Sequence, residues 1–314
     1  MGFWKDRVVA ITGGSGSLGR ALTRRLLRED VRAIRLIARG EFQLHRAGVD
    51  ANDGRVRTLI GDVRDCDRMM LALNGVDAVF HCAALKRIDM APQDPFEFIA
   101  TNVRGTEAVV NAARERWVER VMVISSDKAC QPTTIYGHTK ALAEALSIAA
   151  NVYGGTKVSA ARYGNVCGSR GSLIPLLLEQ RKAGRVTKTA RGMSRFFMRM
   201  SEAVELVITS AERMEGREVF VPKLPSTWVD DIFTALAPDC AVDVIGLRAV
   251  EKMHEALVAF DESRSVEDAG DRYIIRPGTF MDTPGFSYTS DTNPHFLSVE
   301  DIRAQVESAM AEAA

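Results

Sequence analysis

The sequence predicts an α/β protein built on a doubly wound parallel sheet, because strand-like apolar runs alternate with helical patterns through its first half. The apolar runs cover residues 7–12, 33–38, 55–60, 78–81, 120–125 and 157–163. Between them, apolar residues recur at helical spacing over residues 18–29, 65–73, 94–116 and 138–153. Alternation at this pitch is typical of a parallel sheet with helices on both faces.

After about residue 165 the pattern loosens into short helices, brief strands and Pro/Gly breaks. Helical spacing continues over residues 173–183, 201–213 and 229–236, and a last surface helix begins at Ser298 with Glu and Asp in its first turn. We therefore expect a nucleotide-binding domain over residues 1–165 and a smaller substrate lobe over residues 166–314. Some segments of the second region should return to the first domain.

The composition is typical of a folded enzyme and argues against several other classes of protein. Its 314 residues are 46% hydrophobic and 26% charged with a net charge of +0, which gives no overall electrostatic reason to bind nucleic acid. The five cysteines are widely spaced and form no CxxC pair, so we expect free thiols and no metal site. No run approaches the ~20 apolar residues of a membrane span, and the N-terminus has no signal-peptide core, so we expect a cytoplasmic protein without membrane contact.

A glycine-rich turn follows the first strand directly and opens the first helix. Gly13, Gly16 and Gly19 allow a tight turn and let the backbone approach a pyrophosphate, which then lies at the helix N-terminus. The strand–turn–helix context makes this a dinucleotide site rather than an ordinary turn. The residues expected to contact the cofactor here are Thr12, Gly13, Ser15, Gly16, Ser17, Leu18 and Gly19.

The end of the second strand favours NADP, with NAD as the alternative. An acidic residue at this point would hold a ribose 2′-hydroxyl, whereas Arg39 can meet a 2′-phosphate bidentately. Glu41 follows closely and is also explained as a charge at a helix N-terminus. Further cofactor contacts are expected after the third and fourth strands, from Asp62, Val63, Ala83, Ala84 and Lys86. His81 is interpreted as a packed histidine at a strand end.

Residues 125–140 gather several proton-transfer groups after the fifth apolar run. Tyr136 and Lys140 are four residues apart on one helical face, so the ammonium can lie beside the phenol and lower its pKa. This pair predicts proton abstraction coupled to hydride transfer, and both residues should also contact the cofactor. Asp127 and Lys128 are additional acid and base candidates, which suggests a second proton-handling step.

These motifs resemble the extended short-chain dehydrogenase/reductases and, within them, the soluble UDP-N-acetylglucosamine 4,6-dehydratases that invert C5. The resemblance runs from about residue 12 to residue 306 and includes the motifs at residues 81–86, 125–129, 136–140, 162–175 and 251–255. The Asp127–Lys128 pair is the discriminating motif, because ordinary sugar epimerases of the superfamily lack it. A pathway of polysaccharide or pseudaminic-acid type is implied.

The resemblance implies a cycle without net redox change. Tyr136 would remove the 4-hydroxyl proton beside Lys140, with Ser126 donating a hydrogen bond to the 4-oxygen. Lys128, with its pKa depressed by Lys140 and by burial, would take the C5 proton, and protonated Asp127 would protonate the departing 6-hydroxyl. The expected product is UDP-2-acetamido-2,6-dideoxy-β-L-arabino-hexos-4-ulose.

The nucleotide half of the UDP-sugar is expected in the second lobe. The residues expected to contact the substrate are Lys86, Asn165, Arg170, Ser172, Leu173, Arg195, Arg248 and Glu251, with Arg195 and Arg248 at the diphosphate. The chain departs from the family at Thr134, where Asn is usual, and at Ala249 and Val250, which replace Pro-Gly.

Two other hypotheses stay open from the sequence. A UDP-sugar 4-epimerase or 5-epimerase would use Tyr136 and Lys140 without dehydration, and Asp127–Lys128 argues against it. An NADP-binding sensor or scaffold would not require the intact Tyr/Lys pair. The resemblance further implies a homo-oligomer.

Overall fold

The computed structural model describes residues 2–169, 172–248, 250–281 and 284–313. In chain order the strands are β1 (Val8–Thr12), β2 (Ala33–Ala38), β3 (Val56–Ile60), β4 (Ala78–His81), β5 (Arg120–Ile124), β6 (Lys157–Ala161), β7 (Asn165–Val166), β8 (Arg185–Lys188), β9 (Ser194–Met198), β10 (Val219–Pro222), β11 (Ser226–Trp228), β12 (Ala241–Val244), β13 (Ala256–Val258), β14 (Val266–Asp268), β15 (Arg272–Ile275) and β16 (Tyr288–Thr289). The helices are α1 (Ser17–Leu26), α2 (Glu41–Ala51), α3 (Cys66–Ala72), α4 (Pro95–Ile99), α5 (Gly105–Glu115), α6 (Ile135–Ala149), α7 (Leu173–Arg181), α8 (Met200–Arg213), α9 (Val229–Leu236) and α10 (Val299–Ala313).

A nine-stranded sheet forms the centre of the fold, in the order β14-β15-β10-β6-β5-β4-β1-β2-β3. The strands from β3 to β10 in this order pair in parallel, while β15 and β14 are antiparallel additions at one edge. The order reverses between β1 and β4, and this is where ligands bind outside the strand ends of doubly wound sheets. The predicted fold class is confirmed.

Two features of the first half differ from the sequence prediction. The helix α2 was not predicted, because it buries only Leu44 and Ala47 and so carries a weak apolar pattern. The helix expected over residues 94–116 is interrupted by a π-helical stretch, Ala100–Arg104, between α4 and α5. That stretch brings Asn102 to Leu85, where its side chain hydrogen-bonds the backbone N–H and C=O.

The second half supplies both the smaller lobe and part of the central sheet. A three-stranded sheet (β11-β9-β7) and a two-stranded sheet (β12-β8) stand apart from the centre, whereas β10, β14 and β15 extend it. Helix α10 begins as expected after Ser298, whose hydroxyl accepts from the Asp301 backbone N–H at 3.1 Å. The division at residue 165 stays a prediction.

Separate apolar cores lie on the two faces of the central sheet and in the smaller lobe. One face packs around Ile11, Leu36 and Phe80, and the other around Ala10, Val79 and Val121. The alternation along β1 explains the division, because successive side chains of a strand point to opposite faces. Among the described residues no helix is both long and apolar enough to cross a membrane.

Candidate active site

The turn after β1 forms a close-packed cradle at the start of α1. Gly13 has a φ of +66°, and a Cβ there would lie 2.9 Å from the backbone N of Ala83. A Cβ on Gly19 would lie 2.7 Å from the carbonyl oxygen of Gly13. Only glycine fits these positions, and the turn leaves the first N–H groups of α1 free to meet an anion. The cradle therefore fits the pyrophosphate of a dinucleotide.

Arg39 lies just beyond β2, where the sequence predicts a 2′-phosphate contact. Its side chain is about half exposed, with Nη1 3.8 Å from Asp62 Oδ2. Asp62 itself accepts from the backbone and guanidinium of Arg64, and although burial opposes the effect, these bonds lower the pKa of the Asp62 carboxyl. Arg39 is thus loosely held and available to a ligand.

The other predicted cofactor residues lie around the same strand ends. Ser15, Ser17 and Leu18 are partly exposed at the glycine turn and the first turn of α1, whereas Val63 is buried after β3. Ala83, Ala84 and Lys86 follow β4, and Lys86 is exposed. Partial desolvation lowers the pKa of Lys86.

His81 is a packed residue at the end of β4, as expected. Its Nδ1 lies 2.7 Å from the Thr12 hydroxyl and its Nε2 lies 3.0 Å from the Thr106 hydroxyl. Burial lowers the pKa of His81 to about 3, and the nearby charge of Lys140 adds to this. The imidazole is therefore neutral and ties β1 to α5 beneath the cradle.

Two catalytic candidates, Asp127 and Lys128, lie in a short 3₁₀ turn after β5, Asp127–Ala129, that is hydrogen-bonded to the segment after β6. The backbone N–H of Asp127 donates to the Tyr163 carbonyl at 3.0 Å. Ser126 donates to Asp127 Oδ1 at 2.8 Å, and the same hydroxyl acts to lower the pKa of Tyr136. Ser126 therefore lies between the acid candidate and the phenol.

Lys128 is enclosed by two carboxylates. Its Nζ lies 2.6 Å from Asp127 Oδ2 and 3.0 Å from Glu255 Oε1, and both carboxylate side chains are only 3% exposed. Burial lowers the pKa of Lys128, but Asp127 and Glu255 outweigh it, so the pKa is raised. The predicted depression by Lys140 is wrong, because two nearby anions control this ammonium.

The prediction that Lys140 lowers the pKa of Tyr136 is also wrong. Burial raises the pKa of Tyr136, while Ser126 and Lys128 act in the opposite direction. The Lys140 ammonium instead donates to the carbonyl of Ile124 at the end of β5. Burial lowers the pKa of Lys140 to about 8. Helical spacing placed both residues on one face without fixing where the ammonium points.

One cavity of about 300 Å³ joins this turn to the smaller lobe. Its lining includes Lys128 together with six of the residues predicted to contact substrate, namely Asn165, Ser172, Leu173, Arg195, Arg248 and Glu251. Ser172 stands at the N-cap position of α7 without a capping hydrogen bond, and its buried hydroxyl has no hydrogen-bond partner among the described residues. Arg170 and Ala249 lie outside the described residues. Lys86 is not part of this lining.

The two arginines expected at the diphosphate have different surroundings. Arg195 donates to the carbonyls of Ser194, Lys252 and Met253, so its guanidinium is largely committed to the backbone. Arg248 is exposed at the cavity. Of the two, Arg248 has the donors left for a diphosphate.

The segment over residues 250–255 also touches the loop before α6. Lys252 Nζ donates to the carbonyl of Cys130 at 2.7 Å, and the hydroxyl of Thr133 donates to the Val250 carbonyl at 2.9 Å. Thr134 caps α6 by accepting from the Gly137 N–H at 3.0 Å, so its difference from the usual Asn leaves the cap intact. Glu255 was not predicted as a site residue, although its motif was recognised.

The described residues hold no group of three or more His, Cys, Asp or Glu side chains placed to bind a metal ion. A glycine cradle after β1 and a helix with Tyr136 and Lys140 after β5 lie beyond the carboxyl ends of two strands of one parallel sheet. Together they define an extended short-chain dehydrogenase/reductase.

Comparison with known proteins gives the family. The family described as polysaccharide biosynthesis protein matches residues 9–277. The inverting UDP-N-acetylglucosamine 4,6-dehydratase of Campylobacter jejuni is 37% identical, covering 94% of this chain and 95% of that protein. A protein of Methanocaldococcus jannaschii described as an uncharacterized membrane protein is 40% identical, covering 88% and 87%. The UDP-glucose 4-epimerase of Rickettsia prowazekii is 38% identical, covering 86% and 83%. The chain belongs to this polysaccharide biosynthesis family.

Solved structures agree with the fold. The crystal structure of Pen from Bacillus thuringiensis is 34% identical, with a TM-score of 0.93 and coverage of 98% of both chains. The dTDP-glucose 4,6-dehydratase DesIV of Streptomyces venezuelae, solved with NAD bound, has a TM-score of 0.74 over 96% of both chains. At 19% identity that second likeness shows the fold alone.

Proposed function

We propose that the protein is a UDP-N-acetylglucosamine 4,6-dehydratase that inverts C5. The observation that carries this proposal is the ion pair of Asp127 and Lys128, whose charges act on the pKa of Tyr136 and whose Lys128 lines the same cavity as the predicted substrate residues. An acid and a base beside the phenol are what elimination requires beyond oxidation. The 37% identity to a relative named for this reaction supports it.

Each residue has one task in the proposed reaction. A bound nicotinamide would supply hydride acceptance at C4 and hydride return to C6, and C5 would then take a proton on the face opposite the one that lost its hydrogen. Tyr136, in its phenolate form, takes the proton of the 4-hydroxyl, and Ser126 hydrogen-bonds the 4-oxygen. Lys128 takes the C5 proton, which the 4-ketone makes acidic, and Asp127 protonates the departing 6-hydroxyl so that water leaves.

For Lys128 to act as the base and Asp127 as the acid, the proton between them must lie on Asp127. Both oxygens of Asp127 accept hydrogen bonds, one from Lys128 and one from Ser126, which is the arrangement of an ammonium–carboxylate pair. Transfer of one proton from Lys128 Nζ to Asp127 Oδ2 gives the free amine and the carboxylic acid together. A bound substrate that excludes water favours this form, because a dry site penalises the separated charges.

The rest of the substrate is proposed to lie in the cavity between this turn and the smaller lobe. Leu173 and Ser172 at the start of α7 offer an apolar wall and an unpartnered hydroxyl, and Arg248 offers a charge for the diphosphate. Asn165 would contact the sugar or its phosphate, and Glu251 is a further proposed substrate contact. We assign cofactor binding to residues 1–165 and substrate binding mainly to residues 166–314.

The cofactor is proposed to be NADP, with NAD as the alternative. Arg39 is half exposed and loosely held, which suits a 2′-phosphate, but Asp62 nearby would repel one. The glycine cradle serves either dinucleotide. A homo-oligomeric state and a cytoplasmic location stay predictions.

A UDP-sugar 4-epimerase is the second candidate, favoured by the relatives of that name at 38% identity. It would need Tyr136 and no acid or base at residues 127 and 128. Incubation with UDP-N-acetylglucosamine separates the two. A 6-deoxy-4-keto product, seen by its near-ultraviolet band after alkali, supports the dehydratase. A 4-epimer without that band supports the epimerase and overturns our proposal.

A further inference from the structure

Glu255 is a buried carboxylate to which the proposed reaction assigns no role. It lies just before β13, its side chain is 3% exposed, and it lines the cavity beside Lys128. Oε1 is 3.0 Å from Lys128 Nζ, while Oε2 has no hydrogen-bond partner among the described residues. Such a charge is costly to bury, so its place in contact with the Lys128 ammonium calls for a role.

The structure holds Glu255 firmly in place. Its backbone N–H donates to the hydroxyl of Ser290 at 2.9 Å, and its carbonyl accepts from the Ser290 N–H at 2.8 Å. Arg195 Nε is 3.9 Å from Oε1 and Lys252 Nζ is 3.8 Å from Oε2. Because these cations are farther from Glu255 than Lys128 is, they offset part of its charge without replacing its contact with Lys128.

The charged and titratable groups that face Lys128 come from four parts of the chain. Asp127 belongs to the same turn, Glu255 approaches from before β13, Arg195 comes from β9, and Tyr136 comes from α6. In the proposed elimination Asp127 gives up its proton to the departing hydroxyl. Glu255 is then the anion beside Lys128 that keeps its charge unchanged through the step.

We propose that Glu255 is a positioning residue that holds Lys128 at the cavity and stabilises the positive charge that forms on Lys128 as it accepts a proton. The C5–H bond breaks and an N–H bond forms at Nζ, while the C–H electron pair passes into the enolate of the 4-ketone. Collapse of that enolate expels the 6-hydroxyl as water with the Asp127 proton. An anion fixed beside the nascent ammonium stabilises the transition state of this step. The inference rests on the proposed function, which identifies the proton that Lys128 accepts as the C5 proton of the sugar.

The first test separates oxidation from elimination in a single turnover of the cofactor-loaded protein with UDP-N-acetylglucosamine. Glu255→Gln keeps the side-chain shape and removes the charge. We expect reduced nicotinamide to appear at the wild-type rate, followed by elimination about 10- to 100-fold slower, in the range of one lost electrostatic contact. Wild-type elimination in Glu255→Gln would overturn the inference.

The second test needs no substrate. In lysine-labelled protein, the Lys128 side-chain signal, assigned by its loss in Lys128→Arg, is titrated by nuclear magnetic resonance. Removing an anion 3.0 Å away should lower its pKa by about one unit or more. Glu255→Asp, which keeps the charge, should stay closer to wild type. If Lys128 titrates identically in the wild type and in Glu255→Gln, Glu255 does not stabilise the charge of Lys128 and the inference is overturned.

Glu218 provides the matched control. It is also buried, with a side chain 2% exposed, and it pairs with Arg276 at 3.2 Å on the far part of the sheet. Glu218→Gln should lower stability and leave both the Lys128 titration and the ratio of elimination to oxidation unchanged. If wild type yields no dehydrated product, the proposed function fails, while the titration still decides whether Glu255 controls Lys128.

Discussion

Lys128 and Asp127 form a buried ion pair, with Nζ 2.6 Å from Oδ2. Neighbouring residues of one short turn thus share a proton that the proposed elimination needs on the carboxyl. Because Glu255 also contacts Nζ, the resting state favours the ammonium. The base becomes available when substrate and exclusion of water shift the proton across the pair.

Replacement of Lys128 should separate the two halves of the reaction. Lys128→Ala leaves Tyr136 able to oxidise C4, so reduced nicotinamide should accumulate with substrate while no 6-deoxy product forms. Tyr136→Phe should abolish both signals. The measurement is near-ultraviolet absorbance of the cofactor with parallel product analysis, and near wild-type product from Lys128→Ala would favour the epimerase.

The cofactor preference should depend on Arg39. Arg39→Ala should weaken NADP binding by about 1 to 3 kcal/mol and NAD binding much less, because a charge-assisted contact to the 2′-phosphate is lost. Arg32 is the control, since it lies before β2 at the other end of the strand and is 62% exposed. Calorimetric titrations that show equal losses for both cofactors would contradict the assignment.

The cradle should tolerate no side chain at Gly19. Gly19→Ala places a Cβ 2.7 Å from the Gly13 carbonyl oxygen, so the turn must open and dinucleotide affinity should fall by about tenfold or more. Gly54→Ala is the control, because its Cβ would meet nothing within 4 Å. Fluorescence titration with the dinucleotide measures both, and unchanged affinity in Gly19→Ala would refute the cradle.

Because His81 is neutral in the folded protein, the free energy of unfolding should fall at acidic pH. Its folded pKa of about 3 lies below the unfolded value of 6.5, so the unfolded chain binds the proton first and stability falls as pH drops through this window. Compared with His81→Gln, wild type should lose roughly 2 kcal/mol more between pH 7 and pH 5. Denaturant titrations at both pH values measure this, and a constant difference between the proteins would show that His81 is not held neutral.

Much of the fold could be predicted because it follows from local patterns. Apolar runs with period-two or fully buried character mark the strands, and the glycine turn after β1 marks the switch point. Helix α2 was not predicted, because only Leu44 and Ala47 face the core. The π-helical stretch Ala100–Arg104 depends on tertiary contacts such as Asn102 with Leu85, and no local period encodes it.

The candidate site could likewise be predicted only in part from the sequence. Ser126, Asp127, Lys128 and Tyr136 lie in one short segment, so the sequence placed them together. The charge state of Lys128 depends on Glu255, which reaches it from the other lobe, and sequence spacing cannot reveal that contact. The pKa directions predicted for Lys128 and Tyr136 therefore failed, although the grouping of the residues did not depend on them.

The central claim is dehydration with inversion at C5, and the product formed in heavy water tests it most directly. UDP-N-acetylglucosamine should give the β-L-arabino 4-keto sugar with one deuterium at C5, as read from proton coupling constants by nuclear magnetic resonance at early times. Initial formation of the α-D-xylo isomer would contradict inversion and leave dehydration standing. A product that keeps its 6-hydroxyl would contradict the account as a whole.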